Sequence, residues 1–304
     1  MAKDNSDIVV VGHFSIDHII LPGKQPYTML GGAVAYVSLT ARVLETSASI
    51  ISKVGTDFPE AYVLRLKQAG VDTSHIIKMA DELTTSYELT YNQNLSSREL
   101  KLRGQGSAIT LDDLPRSFKS KIVHVAPIAS EISYEVVKRL RDHCECLCCD
   151  PQGFTRRFDK EGNVASSVQV DKRILSLMDL YKSSMDEIKI LSGKTNLKDA
   201  INVVHAMGPK TVIVTMGAKG SVLSAQGEFF EVPACESKQV IDPTGAGDVF
   251  IGAYLSEFIR EKEPLWCACV GTAFASIVVE GVGTSFLGDK AEIYRRANDV
   301  YKRM

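Results

Sequence analysis

The sequence predicts an α/β protein in three layers: a mostly parallel central sheet between helices, with a small β-flap over one end. Three observations carry this. Short apolar runs of strand length alternate with segments of helical spacing along most of the chain. Two regions instead alternate polar and apolar residues without an intervening helix. The last stretch, from residue 246 on, reads as three helices.

The elements follow in order. DIVVVG is a buried-strand signal, an apolar run stopped by Gly12. Residues 33–45 have helical spacing, with Val34, Val37, Ala41 and Leu44 on one face. SASIISKVG reads as a strand, and PEAYVLRLKQAG as a helix that starts at Pro59 and stops at Gly70. KIVHVA, CECLCCD and TVIVTMG are further strands, separated by helices near 131–143, 171–181 and 196–207. HFSIDHIIL alternates, and 84–92 with 98–106 reads as a hairpin joined by QNLSS. These strands belong outside the parallel sheet, so segments 14–31 and 83–107 form the flap. The final helices cover 246–261, 265–280 and 289–303. No linker divides residues 1–304, which predicts a single domain.

Composition excludes several classes. With 35 Lys+Arg against 37 Asp+Glu, the net charge of -2 offers no basic surplus for nucleic acid. The apolar start of the chain is too short for a signal peptide and follows two Asp. The uncharged run Pro264–Val279 falls short of a membrane span and reads as a core helix. Seven cysteines do not suggest a disulfide framework. Cys144, Cys146 and Cys148 share a strand face beside His143, but three ligands along a line suit zinc poorly. Reduced thiols and a cytoplasmic location are expected. The Asn94-Leu95-Ser96 sequon carries no meaning there.

Motifs narrow the chemistry. Gly193-Lys194-Thr195 is no phosphate loop, because Ile188 stands where that loop needs glycine. The informative segment is IDPTGAGDVFIGAYL, Ile241 to Leu255. Gly245, Ala246 and Gly247 open an apolar helix with unobstructed N–H groups, and the helix dipole makes that an anion site. Asp248 sits one step beyond. It is either the base that takes a proton from an attacking hydroxyl or an ordinary first-turn acid.

DPTGAGDVFIGAYL resembles the signature of the ribokinase/PfkB carbohydrate kinase family. Asp17 after Gly12, the Gly31-Gly32 pair, Lys53-Val54-Gly55-Thr56-Asp57-Phe58 and the turn Thr215 to Gly220 resemble its other motifs, in register from about residue 8 to 285. The resemblance implies a ribokinase-like α/β/α sandwich with a β-sheet lid. It also implies a kinase that moves the γ-phosphoryl of ATP, with Mg2+, to a hydroxyl of a small polyol or sugar. Carried over residue by residue, Asp248 is the base and the Gly245-Ala246-Gly247 amides are the anion hole. Asp17 reads substrate hydroxyls, and Gly31 and Gly32 let the backbone approach. Thr215, Gly217 and Gly220 line the nucleotide, and Ala273 and Ser276 wall the adenine. Asp242 holds the glycine loop or a monovalent cation. Relatives pair through lid strands, which implies a homodimer; no nucleic-acid or membrane partner is implied.

Two positions depart from the family pattern. Ser184 stands where Asn precedes the magnesium-ordering Glu187, which would act through water. Tyr36 stands where sugar kinases often carry Asn. With DPQGFTRRFD, these features resemble the inositol-kinase-like branch, in which Asp150, Gln152 and Arg156 would face the substrate. Myo-inositol is then the first candidate acceptor, and ribose, fructose or adenosine the alternatives. A catalytically inactive binding protein on the same fold is the reading from another class.

Overall fold

The computed structural model describes residues 6–93, 97–166 and 170–304. Residues 94–96, which hold the sequon and part of the expected hairpin loop, lie outside them. In chain order the strands are β1 (Ile8–Val11), β2 (Ser15–Ile20), β3 (Tyr27–Gly31), β4 (Ala48–Val54), β5 (Asp72–Lys78), β6 (Ser86–Tyr91), β7 (Arg98–Gly104), β8 (Ser120–Val125), β9 (Cys144–Cys149), β10 (Arg156–Phe158), β11 (Val164–Ser166), β12 (Leu180–Ser184), β13 (Thr211–Thr215), β14 (Ser221–Ala225) and β15 (Glu228–Val232). The helices are α1 (Ala33–Val43), α2 (Glu60–Gln68), α3 (Tyr134–Arg141), α4 (Gln152–Thr155), α5 (Lys172–Leu175), α6 (Met185–Ser192), α7 (Leu197–Met207), α8 (Ala246–Phe258), α9 (Pro264–Val278) and α10 (Lys290–Tyr301).

The main sheet has nine strands in the order β15-β14-β13-β12-β9-β8-β1-β4-β5. From β13 to β5 every pair is parallel, and β14 and β15 add an antiparallel edge. Both faces are buried, so β1 is apolar at every position rather than alternating. Its Ile8 and Val10 pack in a core with α1 and α8, whereas Val9 and Val11 pack with α3 and α7.

A separate four-stranded sheet, β3-β2-β6-β7, comes from the two alternating regions. Its Ile19, Tyr87 and Leu89 pack in a third core with Val249 of α8 and Phe274 of α9. The short hairpin β10–β11 covers its β7 edge, where Leu102 N–H donates to Gly162 O.

Several boundaries differ from the sequence reading. The helix expected over 171–181 is one turn, α5, and Leu180 already begins β12. Asp179 is the joint: its carbonyl accepts from Lys210 and Thr211, and its carboxylate accepts from Leu147 N–H, so it seats β9, β12 and β13. The strands β3, β5, β12, β14 and β15 were not read as such. Among the described residues no helix is long and apolar enough to cross a membrane, and the run from Pro264 forms α9, a buried helix. Gly193 ends α6 in the left-handed conformation, which accounts for the glycine in the misleading GKT.

Candidate active site

The site lies at the C-terminal ends of the parallel strands, where open α/β sheets place ligands. Here the small sheet meets the first turns of α1 and α8. One cavity is lined by Ser15, Asp17, Gly32 and Tyr36, by Gln152 and Arg156, and by Gly245 and Asp248. Tyr87, Leu89, Leu100 and Ile128 form its apolar wall. Asp17, Tyr36, Gln152, Arg156 and Asp248, five residues singled out for substrate or catalysis, therefore converge on one space, with Gly32 and Gly245 beside them.

Each wall has a local cause. Asp17 is a buried residue of β2, paired across the sheet with Met29 and Tyr87. A Cβ at Gly31 would stand 2.0 Å from Asp17 Oδ2, so the carboxylate rests on a bare backbone. Gly32 precedes α1 at φ 88. Gly245 precedes α8 at φ 77, a left-handed conformation that favours glycine. A Cβ on Gly245 would also lie 2.3 Å from a ring carbon of Tyr36, so the ring packs directly beneath the turn. Tyr36 is fully buried; burial first, then the charges of Asp17, Asp242 and Asp248, hold its phenol protonated far above its ordinary range.

No side chain caps α8. Its N-cap is glycine, which has no oxygen to offer, and Asp248 is the third helical residue. The N-terminus is thus a set of N–H donors beside the cavity. Asp242 braces the turn: its Oδ1 accepts from Thr244 N–H at 2.9 Å, while Oδ2 is buried without a hydrogen-bond partner. Such an orphaned carboxylate oxygen fits a monovalent cation. Tyr91 of β6 hydrogen-bonds to Thr244 Oγ1 at 2.5 Å, tying the small sheet to the glycine turn.

Other expected residues lie elsewhere. Asp150 is buried behind the cavity rather than among its lining residues. Its Oδ2 meets Lys182 Nζ at 2.6 Å and its Oδ1 accepts from Gln152 N–H. Glu187 folds back onto its own helix, where its Oε2 accepts from Ser184 N–H at 2.7 Å and from Ser184 Oγ at 2.8 Å. Thr215 ends β13, and Gly217 and Gly220 lie in the turn after it; a Cβ at Gly217 would meet open space, but one at Gly220 would strike Val232 O at 2.1 Å. Gly220 therefore serves strand packing. Ala273 is completely buried in the third core, and Ser276 Oγ donates to Ala273 O and accepts from Arg296. Neither presents a surface to an adenine ring, because the α9 face they occupy packs against protein.

A larger groove of about 970 Å³ opens near the N-terminal ends of β12 and β13, lined by Asp179, Lys198, His205 and Lys210 among others. None of the expected site residues reaches it. The seven cysteines are free thiols, and among the described residues no three His, Cys, Asp or Glu side chains converge to hold a metal. The sequence reading missed Lys182, Leu89 and Leu100. A lone charge within the buried strand LYKSS was the available signal for Lys182. The two leucines carried none, because any β-strand presents such residues.

Comparison with known proteins identifies the family. The pfkB family carbohydrate kinase model matches residues 5–291. A cytidine kinase from Thermococcus kodakarensis is 28% identical over 280 residues, spanning 91% of this chain and 97% of that protein. An inositol 3-kinase from Arabidopsis thaliana is 27% identical over 288 residues, spanning 92% of this chain and 75% of that protein. A solved structure that reports the conversion of a pyrophosphate-dependent myo-inositol-1 kinase into a myo-inositol-3 kinase, by two substitutions to leucine eleven positions apart, has a TM-score of 0.81 at 24% identity, covering 97% and 99% of the two chains. With a match over nearly its whole length, this chain belongs to the pfkB family of carbohydrate kinases and is a phosphotransferase with an alcohol group as acceptor.

Proposed function

We propose that the protein is an ATP-dependent kinase that phosphorylates myo-inositol at its 3-hydroxyl. The observation that carries this reading is the leucine pair. Leu89 and Leu100 are eleven positions apart, face each other across β6 and β7, and line the acceptor cavity. In the myo-inositol kinase described above, leucines at two positions with the same spacing set the 3-hydroxyl as target. The 1- and 3-hydroxyls of myo-inositol are mirror-related, so only the handedness of the pocket tells them apart. An apolar wall cannot pair a hydroxyl, and it turns the ring so that C–H bonds face it.

The rest of the cavity suits a molecule hydroxylated around its rim. Asp17 and Ser15 accept on one side, and Gln152 and Arg156 bind on another. Asp248 takes the proton from the attacking hydroxyl. The new oxygen–phosphorus bond forms as the bond to the ADP oxygen breaks, and the proton passes from Asp248 to solvent. The amides at the start of α8 meet the charge on the moving phosphoryl, each such donor contributing about 3–4 kcal/mol. Mg2+ bound with the nucleotide would offset the charge of its phosphates. Glu187 has one oxygen in its helix cap, and the other would order the water shell of that ion. Asp242 Oδ2 would hold a monovalent cation behind the turn. The small sheet acts as a lid, with Tyr91 and Thr244 as its latch.

A second reading, a cytidine kinase, is favoured by the Thermococcus relative and by Gln152 and Arg156, an amide and a guanidinium able to pair the polar edge of a pyrimidine. The deciding experiment measures ADP release with Mg-ATP and myo-inositol, cytidine, adenosine, ribose or fructose, and inorganic phosphate release where pyrophosphate replaces ATP as donor. The inositol product is resolved on a chiral phase. Myo-inositol 3-phosphate as main product is expected. A kcat/KM for cytidine tenfold above that for inositol would overturn the reading.

A further inference from the structure

Lys182 stands in the middle of β12, a five-residue strand buried on both faces, and is the strand's one charge. Its ammonium is buried against Asp150, with Nζ to Oδ2 at 2.6 Å and side-chain exposures of 6% and 3%. Stability alone does not call for such a pair, since apolar residues of similar volume often replace buried ion pairs without loss.

Its position is informative. A Cβ built on Gly247 would stand 2.8 Å from Lys182 Nζ. Cα–Cβ bonds of a helix tilt toward its N-terminus. The ammonium therefore lies against the first turn of α8, on the side where the uncapped amides point. Helix N-termini already carry partial positive charge, so a cation there is unfavourable unless an anion joins them. Asp150, Asp248 and Glu187 all bear on the ammonium; burial alone would lower its pKa, but these three carboxylates outweigh it and hold it above its usual value. His124, behind the pair, adds no competing cation: burial brings its pKa down to about 4, and its Nδ1 lies 3.2 Å from Cys148 Sγ.

A second buried cation shows what a structural pair looks like. Arg296 is held by both oxygens of Glu280, by Glu292 and by Ser276, far from any site residue but Ser276. Lys182, in contrast, is placed beside the glycine turn with Asp150 taking one of its three N–H bonds.

We propose that Lys182 is a catalytic residue: its ammonium, fixed by Asp150, contacts the phosphoryl group while it passes from donor to acceptor. This rests on the kinase reading above. Lys182 keeps its protons throughout; the acceptor's proton goes to Asp248. The ammonium and the α8 amides hold the moving group from two sides, which suits a transition state with charge spread over three equatorial oxygens.

The test is Lys182→Met on the full-length protein. Loss of one preorganised donor lowers kcat by about 100- to 1,000-fold. The KM for acceptor should stay within about threefold. Affinity for Mg-ADP with aluminium fluoride and acceptor should fall by a factor similar to kcat, and affinity for Mg-ADP alone should not change. A kcat within about tenfold of wild type overturns the proposal, as does an equal loss of Mg-ADP and fluoride-complex affinity. Because Lys182→Met leaves Asp150 unpaired, the double variant Lys182→Met/Asp150→Leu is measured alongside. It should fold and remain inactive. Recovered activity, or a Tm more than about 10 °C below wild type, would make the pair structural and overturn the proposal. A wild-type protein without transferase activity would instead defeat the kinase reading itself.

Discussion

Two helices, α6 and α8, each have an acid as the third residue. In α6 the N-cap is Ser184 and the acid is Glu187; in α8 they are Gly245 and Asp248. The first pair closes on itself as a capping box, with Ser184 Oγ and Glu187 Oε2 satisfying the helix start from both directions. The second has no hydroxyl, and its acid lines the acceptor cavity. The same local sequence position thus serves two purposes. A helix that caps itself has no need of a ligand, whereas one left open presents donors that only a ligand's oxygens would meet in full. The difference between a self-capped and an open helix start here lies in the identity of the N-cap, serine in one and glycine in the other.

Asp248→Asn tests the open helix most directly. It removes the proton acceptor at nearly constant shape, and kcat should fall by about 100- to 10,000-fold. Acceptor binding, read by thermal shift with ADP, should persist. Activity within tenfold of wild type would show that Asp248 is not the base. Gly245→Ala comes next. The added Cβ meets the Tyr36 ring and demands a positive φ, so the turn must shift; a displacement of about 1 Å costs about 100-fold. A mild effect would show that the amides need no fixed placement. The leucine wall opposite α8 should control product identity rather than rate. Leu89→Asn with Leu100→Ser should send an increased share of phosphate to the 1-hydroxyl, with kcat within about tenfold. An unchanged product ratio would leave the regiochemistry to Asp17, Gln152 or Arg156.

The comparison also marks how far the sequence could be read. The glycine turn was legible because its chemistry is local: DPTGAGD specifies an uncapped helix start in seven residues. The strands β2, β6 and β7 were legible by their alternation of polar and apolar residues, and β6 alternates buried with half-buried positions along its whole length. Lys182 was not, because its meaning depends on Asp150 and Gly247, thirty-two residues before it and sixty-five after. Asp150 was assigned to the substrate by resemblance, yet it faces Lys182. Ala273 was assigned by resemblance to the nucleotide, yet α9 buries it between helices. Positions fixed by local backbone rules survive translation into structure; side-chain directions set by distant neighbours do not.

The smallest effect is expected where the helix is closed. Ser184→Ala removes one half of the capping box, which is worth about 1 kcal/mol, or about 2 °C in Tm for a chain of this size. Glu187 can still accept from the N–H of residue 184, so its carboxylate stays near its place. The kcat and the Mg2+ concentration for half-maximal rate should therefore remain within about threefold of wild type. If instead Tm holds while the Mg2+ requirement rises tenfold, the hydroxyl of Ser184 works on the donor side of the reaction. The box would then be a metal-ordering device as much as a cap, and the contrast with α8 would narrow to which phosphate oxygens each helix start serves.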